Sequence, residues 1–368
     1  MKLAIISRPF VYHGGVETAT AGLVGALVDH GHEVHLYSPP GQLPVAGAAL
    51  HRLPLLRGPA LIRTLSLPLV AARAVRTRDH DVVQSHERTL SQDIYRAGEG
   101  CHRAYLATRP RRRLGLRHRI VLALEARAFR STPRIVAIAR RGRAEIARLY
   151  GVADARLRVV FNGVDLARFR PDNRGRHRRA VLAEIGVPGD AWVVLFAGSG
   201  FERKGLGDLI EGFARWSDAS ARLVVLGKGD TRPYRALAER LGVQGRIAWP
   251  GTRPDIERWY AAADVVALPS RYEPFGNVHL EALASGVPML ASTAAGGAEL
   301  IEPGANGALV GPGDAAGIAQ ALAGLRETAW PALSEAARRS AEPFTYQAQV
   351  AGFEKIYVEI PRARPDFR

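Results

Sequence analysis

Two carboxylates, Glu273 and Glu281, flank the run Pro274-Phe275-Gly276-Asn277-Val278-His279-Leu280, and a cation pair, Arg203-Lys204, follows an apolar run ending at Ala197. Carboxylates accept hydrogen bonds from hydroxyl groups. Arg forks onto phosphate oxygens, and Lys brings a compact positive charge. The two sets together suit a ligand that carries both hydroxyls and phosphate. If the stretch between the glutamates were wholly helical, eight residues would separate the carboxylates by roughly 12 Å of rise. That is wider than the roughly 5 to 9.5 Å of a glycosidase acid pair, so a two-point grip fits better than a hydrolytic dyad.

The elements that position these groups can be read from local signals. Pro274 and Gly276 favour a turn, the apolar run over 278–284 reads as helix, and Gly286 with Pro288 closes it. Glu273 therefore falls on a loop and Glu281 inside a helix, with Phe275, Gly276, Asn277 and Val278 at the helix start, where backbone amides and the helix dipole favour an anion. Upstream, the apolar run over 193–197 leads into Gly198-Ser199-Gly200-Phe201-Glu202-Arg203-Lys204-Gly205 and then a helix, a strand-to-helix turn where Gly198 lets backbone approach a ligand closely. Gly14-Gly15 occupies the corresponding place after the first apolar run, with Glu17 just beyond.

Other phosphate motifs fail on inspection. Gly200 and Gly205 have P-loop spacing, but Leu206 stands where that motif requires Lys. Gly198 and Gly200 lack the third glycine of a dinucleotide fingerprint. No cysteine or histidine cluster has metal-ligand spacing, so neither a bound metal nor a separate cofactor is expected. Scattered His13, His86, His102 and His279 read as ordinary surface or core residues rather than metal ligands.

The chain has 368 residues, too many for one ordinary core, and short apolar runs alternate with amphipathic stretches from end to end. This pattern predicts an α/β protein with two Rossmann-like, doubly wound parallel sheets. Strands are expected at 2–7, 33–37, 81–84, 134–138 and 157–161 in the first half. In the second half they are expected at 192–197, 221–226, 246–249, 264–267, 288–291 and 308–310. Domains are expected at 1–168 and 169–343, followed by a C-terminal helical segment at 344–368. The polar stretch 171–178 reads as an interdomain linker.

Cys101 is the only cysteine, which excludes an intrachain disulfide framework and suits a reducing compartment. The start of the sequence lacks a signal-peptide core, and no uncharged run reaches spanning length, so a cytoplasmic protein, soluble or peripherally bound, is expected. The net charge of +16 predicts attraction to a polyanion. Arg103, Arg109, Arg111, Arg112, Arg113, Arg117, Arg119, Arg127 and Arg130 crowd one segment that also carries Leu114, Leu116, Ile120, Val121, Leu122, Leu124 and Phe129 at near-helical intervals. A basic amphipathic helix of this kind can lie on an anionic inner-membrane surface. Nucleic acid is the less fitting polyanion, because no recognisable binding module or aromatic stacking platform accompanies the charge.

The Glu-Pro-Phe-Gly-x4-Glu segment resembles the signature of family 4 retaining glycosyltransferases of the GT-B fold, in which two such domains face each other across a cleft. The resemblance narrows to the bacterial lipopolysaccharide core glucosyltransferases. It implies a nucleotide-sugar donor, UDP-glucose first, and a core oligosaccharide or glycolipid acceptor. By that similarity Glu273 holds the donor sugar and Glu281 the ribose. Arg203, Lys204, Gly198, Gly14, Gly15 and the amides over 275–278 meet the diphosphate, and Arg253 lies beside the base. Glu17, Glu99 and His102 fall on the acceptor side; Glu99 stands where the family carries Asp, and Ala19 where it carries an acidic residue. The C-terminal helix would pack back on the first domain. A sugar-nucleotide epimerase on the same scaffold is the enzymatic alternative, and a basic nucleic-acid-binding protein is the non-enzymatic one.

Overall fold

The computed structural model describes residues 1–9, 15–55, 60–76, 79–109 and 114–361, with the backbone alone at 15–18 and 60. The chain divides into two compact units. One takes in the N-terminal strand, Val16–Gly163 and the C-terminal helix from Tyr346; the other is Val164–Thr345.

The first unit is built on strands β1 (Lys2–Ile6), β2 (Glu33–Ser38), β3 (Ala49–Arg52), β4 (Val82–Ser85), β5 (Ile94–Arg96), β6 (Arg134–Ala137) and β7 (Leu157–Val159). They form one sheet in the order β3-β2-β1-β4-β5-β6-β7, with every neighbouring pair parallel. Leu3, Ala4, Ile5 and Ile6 are each buried, as a strand covered on both faces requires. The strand order reverses between β1 and β4, so the loops after them open at a topological switch point, where open α/β sheets bind ligands. Helix Tyr346–Tyr357 belongs to this unit: Val350, Phe353, Ile356 and Tyr357 pack with Leu3, Ile5, Leu36 and Val136.

The second unit carries β8 (Trp192–Ala197), β9 (Ala221–Leu226), β10 (Ile247–Gly251), β11 (Val265–Leu268), β12 (Met289–Ser292) and β13 (Gly307–Val310). Their order is β10-β9-β8-β11-β12-β13, again all parallel, with the reversal between β8 and β11. Helix Leu206–Arg215 buries Leu206, Leu209, Ile210 and Phe213, the i, i+3, i+4, i+7 stripe of a helix lying on a sheet. Gly212 gives it close contact with its neighbour, since a Cβ there would sit 2.5 Å from Ile318 Cγ2.

Two expectations need correction. The stretch 171–178 is no linker: helix Asn173–Glu184 covers most of it. Its arginines are structural. Arg174 and Arg178 grip Asp264 at 2.6 and 3.0 Å and cap the carbonyls of Ala263 and Ala262, while Asp264 also accepts from the Val193 amide at 2.7 Å. Arg174 further stacks over Trp330, 4.1 Å from the ring centre. Strands β3 and β5, four and three residues long, were not foreseen. Among the described residues no helix is long and apolar enough to cross a membrane.

Candidate functional site

The loop after β8 coils back on itself through hydrogen bonds from Lys204 N to Gly200 O and from Leu206 N to Phe201 O. Gly198, at φ +149°, is required here, because a Cβ would meet Lys204 Cδ at 2.7 Å; its absence lets the lysine stem lie across the backbone. Gly205, at φ +75°, presses against the loop after β11, where a Cβ would fall 2.1 Å from Pro269 O. The two loops are further joined by Arg271 N to Arg203 O at 2.8 Å and by a two-pronged ion pair from Arg271 to Asp208, at 3.1 and 2.9 Å.

This joining brings Arg203, Lys204 and Glu273 together. Arg203 Nη1 and Lys204 Nζ each donate to the same carboxylate oxygen, Glu273 Oε2, at 2.9 Å, and Arg203 Nη1 also donates to Tyr272 O. Glu273 Oε1 takes no hydrogen bond among the described residues. Burial alone would raise the Glu273 carboxyl, but the charges of Lys204 and Arg203 outweigh it and bring it down to about 2. Glu273 is thus a buried, firmly ionised carboxylate with one oxygen engaged by two cations.

The backbone of this loop is held by a segment that sequence reading had not singled out. Gly296 N donates to Glu273 O at 2.9 Å and Gly297 N to Phe275 O at 2.8 Å. A Cβ on Gly297 would stand 2.6 Å from both Phe275 O and His279 Cγ. The Gly296-Gly297 doublet was the available signal. His279 is fully buried with Nδ1 2.8 Å from Gly276 O. A ring nitrogen facing a carbonyl must carry the hydrogen, and burial brings this imidazole down to about 4, so it is neutral. Phe275 is buried too, whereas Gly276, Asn277 and Val278 at the start of helix Asn277–Ala284 are partly exposed.

Glu281 lies inside that helix and accepts from the Tyr260 hydroxyl at 2.7 Å; burial raises its carboxyl. Arg253 is already engaged, with Nη1 3.0 Å from Glu184 Oε1 and its guanidinium 4.8 Å from the Trp259 ring centre. Any role beside a base would use what those contacts leave open.

In the first unit, Glu99 joins a network around the ends of β1, β4 and β5. Arg8 forks onto Glu87 at 2.8 Å on both prongs and reaches Glu99 Oε1 at 2.8 Å. Arg88 reaches Glu99 Oε2 at 2.7 Å and Glu125 Oε2 at 2.9 Å. Burial opposes ionisation of Glu99, yet Arg8 and Arg88 hold its carboxyl below the ordinary range. Glu125 is fully buried and also accepts from the amides of His102 and Arg103 and from the Tyr150 hydroxyl. The His102 ring stacks on His118 with Nε2 3.0 Å from His118 Nδ1, and burial together with Arg88 lowers its affinity for a proton. Arg8, Glu87, Arg88 and Glu125 were absent from the sequence reading. Their partners are distant in sequence, and no local pattern marks them.

Gly14 lies outside the described residues, as do Arg111, Arg112, Arg113 and His13. Gly15 opens helix Gly15–Asp29, and the Glu17 side chain is likewise outside the description. No group of three or more His, Cys, Asp or Glu side chains among the described residues is arranged to hold a metal ion.

Two parallel α/β sheets, with cations and carboxylates gathered at strand ends, define a protein of the GT-B architecture. WaaG, a glycosyltransferase of lipopolysaccharide biosynthesis, superposes with a TM-score of 0.82 at 24% identity, over 97% of this chain and 99% of that one. Anabaena HepE, crystallised with UDP and glucose, superposes with a TM-score of 0.77 at 18% identity, over 98% and 100%. Residues 13–168 match the family described as glycosyltransferase family 4, and residues 191–328 match glycosyl transferases group 1. A probable transglycosylase of Burkholderia thailandensis is 34% identical over 323 residues, 86% of this chain and 84% of that protein. The chain belongs to the family 4, group 1 glycosyltransferases, and the epimerase reading is not favoured.

A D-inositol 3-phosphate glycosyltransferase of Xylanimonas cellulosilytica is 32% identical over 255 residues, 66% of this chain and 60% of that relative's length. The lipopolysaccharide core glycosyltransferase LpsE of Rhizobium meliloti is 40% identical over 141 residues, 38% of this chain and 41% of that protein.

Proposed function

We propose that the chain is a retaining hexosyltransferase that moves glucose from UDP-glucose to a lipopolysaccharide core or related glycolipid acceptor. The observation that carries the donor half is the Arg203–Glu273–Lys204 cluster, an ionised carboxylate with one oxygen held by two cations and the other open to sugar hydroxyls. Arg203, Lys204, Gly198 and the helix start at Gly276, Asn277 and Val278 would meet the diphosphate. Glu281 would take the ribose, with Phe275 fixing the loop and Arg253 beside the base. The likenesses to LpsE and WaaG support the core-glycan acceptor, and the likeness to HepE, which binds UDP and glucose in its crystal, supports UDP-glucose.

In this mechanism the acceptor hydroxyl attacks the anomeric carbon on the face from which the diphosphate departs, and a diphosphate oxygen takes the hydroxyl proton. The C–O bond to the diphosphate breaks as the new glycosidic bond forms. Arg203 and Lys204 stabilise the charge that builds on the leaving group, as preorganised donors do, in the role a metal ion would otherwise fill. Glu99, held ionised by Arg8 and Arg88, would accept a hydrogen bond from the acceptor rather than serve as a base, and His102 and Glu17 would contribute on the acceptor side.

The same reading puts the chain in the cytoplasm, peripherally on the inner membrane. Arg103, Arg109, Arg117, Arg119, Arg127 and Arg130 are all exposed, and Leu114 and Leu116 stand 45% and 62% exposed beside them. The donor assignment is tested by thermal shift with UDP-glucose, UDP-galactose, UDP-N-acetylglucosamine, GDP-mannose and ADP-heptose on wild type and Glu281→Ala, since a ligand raises apparent stability by mass action. Stabilisation by UDP-glucose that is lost in Glu281→Ala is expected; no shift with any of the five would contradict the reading.

A further inference from the structure

We infer that Tyr260 is a positioning residue: it fixes the Glu281 carboxylate toward the ribose hydroxyls and so sets the preference for ribonucleotides over deoxyribonucleotides. This rests on the ribose role proposed for Glu281.

Tyr260 is completely buried, on helix Ile256–Ala262, and its hydroxyl donates to Glu281 Oε2 at 2.7 Å. Phe169 packs edge-on against its ring, with centroids 5.8 Å apart and planes at 68°. Full burial and the Phe169 contact hold the ring, and with it the hydroxyl, in place. Glu281 is partly exposed and carries three side-chain torsions, a freedom that ordering costs on the order of 1 to 2 kcal/mol. Its Oε1 takes no hydrogen bond among the described residues. The contrast with Glu273 is informative. Cations hold Glu273, whereas the only side-chain hydrogen bond on Glu281 among the described residues comes from a neutral hydroxyl. One oxygen is thereby fixed and the other left to accept from a neighbouring diol, and the carboxylate's aim depends on Tyr260.

Tyr260→Phe removes the hydroxyl and keeps the buried ring. The test measures Kd for UDP, GDP and ADP and for their 2′-deoxy counterparts, on wild type, Tyr260→Phe and Glu281→Gln, by calorimetry. The ratio of deoxy to ribo Kd is internal to each variant, so a loss of global stability does not move it. Loss of one hydrogen bond's worth of positioning should compress that ratio about fivefold in Tyr260→Phe, toward the value for Glu281→Gln. An unchanged ratio in Tyr260→Phe, with the preference lost in Glu281→Gln, would overturn the positioning role and leave the Glu281 assignment standing. A wild type that binds no nucleotide, or shows no ribose preference, would overturn both.

Discussion

Replacing Glu273 with Gln should remove one identifiable part of the protein's acid sensitivity. In the folded chain Lys204 and Arg203 bring this carboxyl from 4.5 to about 2. A depressed carboxyl stabilises the fold fully above its unfolded value, and that contribution is lost as pH falls through the folded one. At 1.36 kcal/mol per unit, the full contribution is ~3 kcal/mol. Between about pH 6 and about pH 3.5 the linkage relation gives a loss on the order of 1 kcal/mol from this group alone. Glu273→Gln cannot titrate there, while every other carboxylate is common to both proteins and drops out of the difference. Urea unfolding at the two pH values should therefore show the stability gap between wild type and Glu273→Gln narrowing by on the order of 1 kcal/mol on acidification. A gap that stays constant would refute the cation-held carboxylate.

The same cluster governs turnover. Lys204→Ala should slow nucleoside diphosphate release by on the order of 3 kcal/mol in barrier, roughly a hundredfold, with much less effect on acceptor binding; unchanged release by folded protein would remove Lys204 from the site. Asp264→Ala strands Arg174, Arg178 and the Val193 amide, and chemical denaturation should register a loss of about 3 kcal/mol. Cosedimentation with anionic vesicles should be strong at low salt and should fall when Arg117, Arg119 and Arg127 are changed to Ala, whereas equal binding to neutral vesicles would reject the charged surface as the cause.

What could be read in advance was local. Strand β8 is an unbroken apolar run, and the Glu273 to Glu281 segment carries its own turn and cap residues, so sequence alone placed Glu273 on a loop and Glu281 in a helix. Strand β5 has three residues and ends in Arg96. It is strand only because β4 and β6 pair with it on either side, which no periodicity reveals. Helix Asn173–Glu184 failed for the opposite reason, since its arginines are consumed by an aspartate some ninety positions on. At the site, Arg203, Lys204 and Glu273 were each legible as motif residues, but the family resemblance assigned the two cations to the diphosphate and Glu273 to the sugar, and nothing in the sequence signalled that they bind one another. That pairing depends on Gly205 and on Arg271 holding two loops together across about 60 residues of chain. Tyr260 was invisible, because nothing near it in sequence says that its hydroxyl meets Glu281.

The most direct test of the central claim is the anomeric configuration of the product, read by proton NMR after incubation of the enzyme with UDP-glucose and lipopolysaccharide core acceptor. An α-linked glucose, retained from the α-linked donor, is the predicted result. A β-linked product, or failure to transfer from a donor that demonstrably binds, would contradict it.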